Sequence, residues 1–209
     1  MRELLLILFL TSIFLMSIAN LMRGYVKILA FQGIVLFALS IIELGEIHIA
    51  NLIWISVETI IFKSIIVPAF LFHIINRNKI TREAEPFLPH FASLIITTII
   101  TTALCIGAQS LPEGSIDRYS FVAAMSTIFF GLYFICSRRK LLSQMIGYMV
   151  IENGVFILTF AVGNEMPFLV NLGVLLDIFA SVLLLGFFAG KIGDVLKDNS
   201  INSLTSLKD

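Results

Sequence analysis

The sequence predicts an all-α integral membrane protein, a bundle of seven transmembrane helices, and three observations predict it. Of its 209 residues 58% are hydrophobic and 13% charged, about half the charged share of an average soluble domain. Nineteen of them are Phe, more than a soluble fold of this size can hide in its core. Third, the apolar residues fall in long unbroken runs. A formal net charge of zero leaves no basic surface for nucleic acid, and the composition excludes both a soluble globular domain and a disordered chain.

Spanning a bilayer takes about 20 mostly apolar residues as a helix. Seven runs meet that requirement, at approximately 4–21, 25–43, 47–75, 91–109, 119–136, 141–161 and 167–190. A β-barrel would alternate in segments of about ten residues, whereas these runs are continuous. The first run ends in Ser17-Ile18-Ala19, which resembles a cleavage site. A secretory signal needs a basic leading region, and here Arg2 is followed at once by Glu3, so the run is read as a retained span.

Basic residues orient the bundle. The connections after spans 1, 3, 5 and 7 carry Arg23, Arg77, Lys79, Arg82, Arg138, Arg139, Lys140, Lys191, Lys197 and Lys208, against Arg2 and Arg118 on the other side. This asymmetry puts the N-terminus outside and the C-terminus in the cytoplasm. The chain divides into a three-helix unit over 1–90, a linking helix and outer loop over 91–118, a second three-helix unit over 119–190 and a cytoplasmic tail over 191–209. The longest connection, 76–90, is too short for a soluble domain, and no Gly-rich phosphate cradle occurs. Chemistry is therefore expected within the membrane or on a partner.

Cys105 and Cys136 sit in apolar runs with no CxxC or Cys/His spacing, which predicts buried bystander thiols and no metal site. His48, His73 and His90 lie near span ends and read as interfacial, and Trp54 reads as packing.

Five ionisable residues fall inside the spans: Lys27, Glu58, Lys63, Glu152 and Asp177. Each costs roughly 2.5–3.5 kcal/mol at a helix centre. Lys27 is close enough to a span end to snorkel. Glu152 lies eleven residues into its run and Asp177 ten, roughly 15–17 Å deep and so near the midplane. Glu58 reaches a similar depth from the opposite end of its run, and Lys63 follows about 7 Å further along. On an ideal α-helix Glu58 and Lys63 stand about 140° apart, so each needs a partner elsewhere. Pro68 cannot donate to the carbonyl of Ser64, and a kink is expected there. Gly147 and Gly154 share a face for close helix approach around Glu152. Three carboxylates and an ammonium at one depth suggest a polar layer, and a carboxylate removed from water beside a lysine can gain and lose a proton. The competing reading is that such groups join helices through hydrogen bonds.

A shift of 120 residues puts Gln32 on Glu152 and Asn51-Leu52 on Asn171-Leu172. It suggests a 3+1+3 parallel repeat with the fourth helix as the joint.

The stretch Gln144-Met-Ile-Gly-Tyr-Met-Val-Ile-Glu152-Asn-Gly-Val-Phe-Ile-Leu, with Pro167-Phe-Leu-Val-Asn-Leu-Gly-Val-Leu-Leu-Asp177 after it, resembles the component E membrane subunit of hydrogenase-4-type and formate-hydrogenlyase-like complexes. Their C-terminal half is in turn similar to the K subunit of respiratory complex I and the C subunit of multisubunit cation/proton antiporters. The resemblance implies a non-catalytic membrane-arm subunit of a group 4 [NiFe]-hydrogenase-related complex, in the plasma membrane of a prokaryote. It implies partners among antiporter-like and complex I-like membrane subunits, with nickel-iron and iron-sulfur centres on those partners and no cofactor in this chain. It also implies a proton-pathway role for Glu152, which matches the first of two membrane glutamates in the K subunit. Asp177 would be the second, but departs from the pattern in residue type and spacing. Two alternatives remain: a purely structural scaffold of such a complex, and a transporter resembling the SWEET family. Against the SWEET reading, Pro68 and Pro167 do not match across the 120-residue shift.

Overall fold

Secondary structure is helical throughout the described residues of the computed structural model, which are 1–43, 58–77, 90–111, 116–138 and 140–162. The elements are α1 (Arg2–Ile18), α2 (Met22–Glu43), a π-helix π1 (Glu58–Ile66), α3 (Val67–Arg77), α4 (His90–Ala108), α5 (Arg118–Ser137) and α6 (Leu141–Val162). Four of them contain a stretch long and apolar enough to cross a membrane, namely Met22–Ile42, Phe91–Ala108, Arg118–Ser137 and Leu142–Val162. The seventh expected span, 167–190, lies outside the described residues, as does the first part of the third. All described residues belong to one compact unit, Met1–Val174.

Two helical hairpins form its centre. α5 and α6 make the most intimate pair, and glycine is the reason. A Cβ on Gly131 would stand 2.9 Å from the carbonyl oxygen of Gly147, and one on Gly154 would stand 3.0 Å from that of Ala124. Only where side chains vanish do two helix backbones approach this closely. The α1–α2 hairpin lies alongside, with α1 against α5 and α2 against α6. π1 and α3 cover α2, and α4 covers α1 and α5.

The ends of the hairpins fix their direction. Asp117 is the N-cap of α5, and its Oδ2 accepts from the Ser120 amide at 2.8 Å. The same oxygen forms a 2.7 Å ion pair with Arg2 at the start of α1. The amide of Asp117 in turn donates to the carbonyl of Ala161 near the end of α6. At the opposite end, Arg23 donates to Asn76 across 2.9 Å. Adjacent spans therefore alternate in direction, as apolar runs joined by short polar turns must.

Exposure along the helices is inverted relative to a soluble protein. On α4 Ser93 and Thr97 are buried along with the terminal Ala108, while Phe91, Ile95, Ile99 and Ile106 face outward. On α1, Ser12 and Ser17 are buried and Leu4, Ile7 and Leu15 are exposed. Such a surface is stable only against hydrocarbon, and the protein is a membrane protein. The same inversion corrects the expectation for the cysteines. Cys105 and Cys136 do lie in apolar runs, but both are exposed, because an apolar position in such a bundle can look outward.

The third span also departs from expectation. Instead of a kinked α-helix, its described part is π-helical as far as Ile66 and α-helical from Val67. Pro68 brings no amide for the carbonyl of Ser64 in α spacing, or of Lys63 in π spacing, and the change of register falls there. Hydrogen bonds in a π-helix run from i to i+5, so the backbone at position 58 stacks one turn from position 63. The 140° separation deduced from α geometry does not apply.

Candidate functional site: a buried polar layer at midspan

Glu152 is the twelfth of the 22 residues of α6, halfway along the span. It is 7% exposed, and Asn153 beside it is 3% exposed. Asn153 Nδ2 donates to Gln32 Oε1 at 3.1 Å, and Gln32 Nε2 donates to Ser12 Oγ at 2.9 Å. Gln32 is the eleventh of 22 residues in α2, so both amides sit at the middle of their helices. Ser12 Oγ donates onward to the carbonyl of Phe9. One continuous hydrogen-bonded file thus crosses from α6 through α2 to α1. Every link is buried, which satisfies polar groups that would otherwise be costly in hydrocarbon.

Lys63 enters the same layer from π1, which packs on α2. It is 6% exposed, and its Nζ lies 4.8 Å from the centroid of the Phe156 ring. Phe156 stands one helical turn after Glu152, so the ammonium of π1 and the carboxylate of α6 occupy neighbouring levels. Gly33 makes this reach possible. A Cβ there would meet the backbone nitrogen of Ser64 at 3.0 Å and the carbonyl carbon of Lys63 at 3.1 Å. Its absence seats the π-helix directly on α2, next to Gln32. Chemically, the layer brings a carboxyl group, an ammonium, two amides and a hydroxyl together in an otherwise apolar interior.

A second polar file runs through the other half of the bundle. Thr97 Oγ1 lies 3.5 Å from Ser17 Oγ and donates to the carbonyl of Ser93 at 2.8 Å. Ser93 Oγ and the Tyr133 hydroxyl are 2.7 Å apart. This file ties α4 to α1 and α5.

At the end of α5 the structure buries another cation. Arg138 is 2% exposed, with its guanidinium carbon 4.9 Å from the Phe134 ring centroid and 5.7 Å from that of Tyr25. Its Nε and Nη1 are buried without a hydrogen-bond acceptor among the described residues. The ring contacts give about 0.5–2 kcal/mol each, and the C-terminus of α5 about 0.3–1 kcal/mol. Together these offset only part of a desolvation penalty of several kcal/mol.

Over 204 residues, 95% of this chain and 93% of the other, the sequence is 28% identical to hydrogenase-4 component E of Escherichia coli K12. The chain is a relative of hydrogenase-4 component E. The component E of Shigella flexneri matches to the same extent. The Mycobacterium tuberculosis protein Rv0085 is 25% identical over 191 residues, 90% of this chain and 87% of that one. No protein-family profile matches the chain, and no solved structure does.

For this relative of component E, the structure brings Glu152 and Lys63 into one buried layer. Asp177 lies outside the described residues, and of Glu58 only the backbone is described, as the first residue of π1. Pro68 is the second residue of α3, at the register change. Gly147 faces α5, where a Cβ would meet Ile135 Cγ1 at 2.8 Å. Lys27 is exposed near the start of α2. Among the described residues no three His, Cys, Asp or Glu side chains gather as metal ligands. Sequence reasoning left Ser12, Gln32 and Asn153 out of the site. A signal was present, because Gln32 is a lone amide in the middle of an apolar run and falls on Glu152 in the 120-residue shift.

Proposed function

We propose that the chain is a non-catalytic membrane subunit of a hydrogenase-type complex, and that its buried layer carries protons or cations in step with a redox reaction on partner subunits. The observation that carries the reading is Glu152, a carboxyl group buried at midspan with the Lys63 ammonium one turn away over Phe156. An ionisable group held at that depth is expensive, and function is the default reason to retain it. A proton arriving at Glu152 alters the charge balance of the layer, and Lys63, Gln32 and Asn153 are the groups positioned to respond. Asp177 and Glu58 are assigned to the same pathway from the sequence. The name of the component E relatives supports the hydrogenase setting. In that setting nickel-iron and iron-sulfur centres reside on other subunits, with antiporter-like and complex I-like membrane subunits as neighbours. The basic-residue count supports a cytoplasmic C-terminus in a prokaryotic inner membrane.

The 3+1+3 repeat belongs to this reading. Three contacts join residues separated by nearly the proposed shift: Asn153 with Gln32 and Ser143 with Met22, each 121 apart, and Arg2 with Ser120, 118 apart. Equivalent residues meet in this way along an axis relating two parallel copies.

A scaffold role is the second reading, favoured by the inter-helix hydrogen bonds themselves, which join α6 to α2 and α2 to α1. The two share a setting, which is tested first. Tagged full-length chain purified from its native membrane should bring down a hydrogenase large subunit together with hydrogen-dependent redox activity. Recovery of the chain alone, from membranes whose hydrogenase activity stays in other fractions, refutes both.

A further inference from the structure

We propose that Arg138 is a receptor for the phosphate of an acidic phospholipid at the basic end of the bundle. Its guanidinium is stored against Tyr25 and Phe134 when no lipid is bound. Three observations lead there, none of which depends on the proton-transfer reading. The first is the unmet hydrogen-bonding capacity of Nε and Nη1 on a residue that is 98% buried. Ring faces satisfy the cation's charge in part but leave the planar fork of N–H donors open, and that fork matches a phosphate or carboxylate. Contacts with two rings hold the side chain inward.

The second is the absence of an internal anion at this end among the described residues. Glu3 and Asp117 stand at the opposite end of the bundle, where Arg2 pairs with Asp117. Glu152 is at midspan. The neighbouring charges are basic: Arg23 lies at the start of α2 and Lys140 in the turn before α6.

The third is depth. The 20 residues of α5 rise about 30 Å, the thickness of the hydrocarbon core, so the residue that caps the helix lies at headgroup level. At the same end of the bundle, Ile18 and Leu21 at the α1–α2 turn are exposed and give acyl chains an apolar surface. Basic pockets between membrane helices at this level suit anionic headgroups. The long side chain of Arg138 can turn outward about its own torsions, from an extended backbone at φ −110° and ψ 139°. Depth and the flanking apolar surface favour a lipid phosphate over the carboxylate of a protein partner.

The test uses the full chain in detergent micelles, with phosphatidylglycerol, phosphatidylcholine or inorganic phosphate as probe and native mass spectrometry and thermal stability as readouts. Wild type should retain phosphatidylglycerol over phosphatidylcholine by about tenfold. R138Q should bring that ratio close to one, R138K should keep an intermediate ratio, and R118Q, at the far end of α5, should leave it unchanged. Equal retention of the two lipids by wild type overturns the proposal, as does a preference that survives in R138Q. Should R138Q not fold, a wild-type ratio in R138K removes the guanidinium from the account. Stabilisation by inorganic phosphate without a lipid preference assigns the site to a free anion. Cross-linking of position 138 to an acidic residue of a co-purified subunit, without lipid retention, assigns it to a protein partner. Either result overturns the lipid assignment.

Discussion

Asn153 donates to Gln32 across 3.1 Å at the middle of the bundle, and through Gln32 it is joined to Ser12 on the first helix. The bond links two helices that enter the membrane side by side in the same direction, and it lies one residue from the buried Glu152. Gln32→Leu should lower stability by roughly 0.6–1.7 kcal/mol, the range for inter-helix hydrogen bonds in membranes. Asn153→Leu should have a similar effect, and the double variant should lose less than the sum, because each single change strands its partner. Unfolding of the four proteins in mixed micelles gives the coupling directly. Additive losses would separate the two amides.

Backbone-to-backbone contact at Gly131 and Gly147 predicts intolerance of even one added methyl. A Cβ on Gly131 would come within 2.5 Å of Ile151 Cγ1 and 2.9 Å of the Gly147 carbonyl oxygen. Gly131→Ala should therefore cost about 1–3 kcal/mol through overpacking. Gly107, whose Cβ would meet nothing within 4 Å, is the control. Gly107→Ala should be neutral or slightly stabilising, since alanine is the better helix former. Comparable melting shifts for the two would contradict the packing argument.

Gly33→Ala tests the seat of the π-helix. The added methyl meets the backbone at Lys63 and Ser64, which cannot swing aside as a side-chain tip could. Displacement of π1 from α2 should carry Lys63 away from Phe156. An accelerated thiol reaction at a cysteine placed at position 63 in the Gly33→Ala background reads this out. An unchanged rate would mean that Gly33 does not set the approach.

These contacts also mark how far the sequence could be read. Run length and hydropathy are one-dimensional properties, and the spans at 25–43, 119–136 and 141–161 match α2, α5 and α6 to within a few residues. Depth follows from counting along a helix, so the burial of Glu152 was legible. Azimuth does not follow in the same way. The orientation of Lys63 depends on a π register imposed around Pro68, and α periodicity gives the wrong angle for it. Partnership was hidden as well: Gln32 accepts from Asn153, 121 residues away, one residue off the 120-residue shift that paired it with Glu152. Arg138 could be counted only as a topology signal, since nothing in a basic turn tells which member folds inward onto aromatic rings. The cysteines failed for a simpler reason, in that an apolar neighbourhood means outward as often as inward when the solvent is lipid.

Topology yields a further test. The bias in Lys and Arg predicts that a reporter fused after Asp209 will be active if it needs the cytoplasm, and silent if it needs the other compartment. Activity restricted to the external reporter would invert the bundle and move Arg138 to the opposite leaflet.

Proton translocation by the assembled complex carrying Glu152→Gln addresses the central claim most directly. The amide keeps the shape of the side chain and much of its hydrogen bonding while removing the titratable group. The account predicts normal assembly, and loss of most redox-coupled proton movement with the partner subunits' redox reaction still measurable, together with recovery in Glu152→Asp. Wild-type translocation in an intact Glu152→Gln complex would contradict it and leave Glu152 as a helix-joining group.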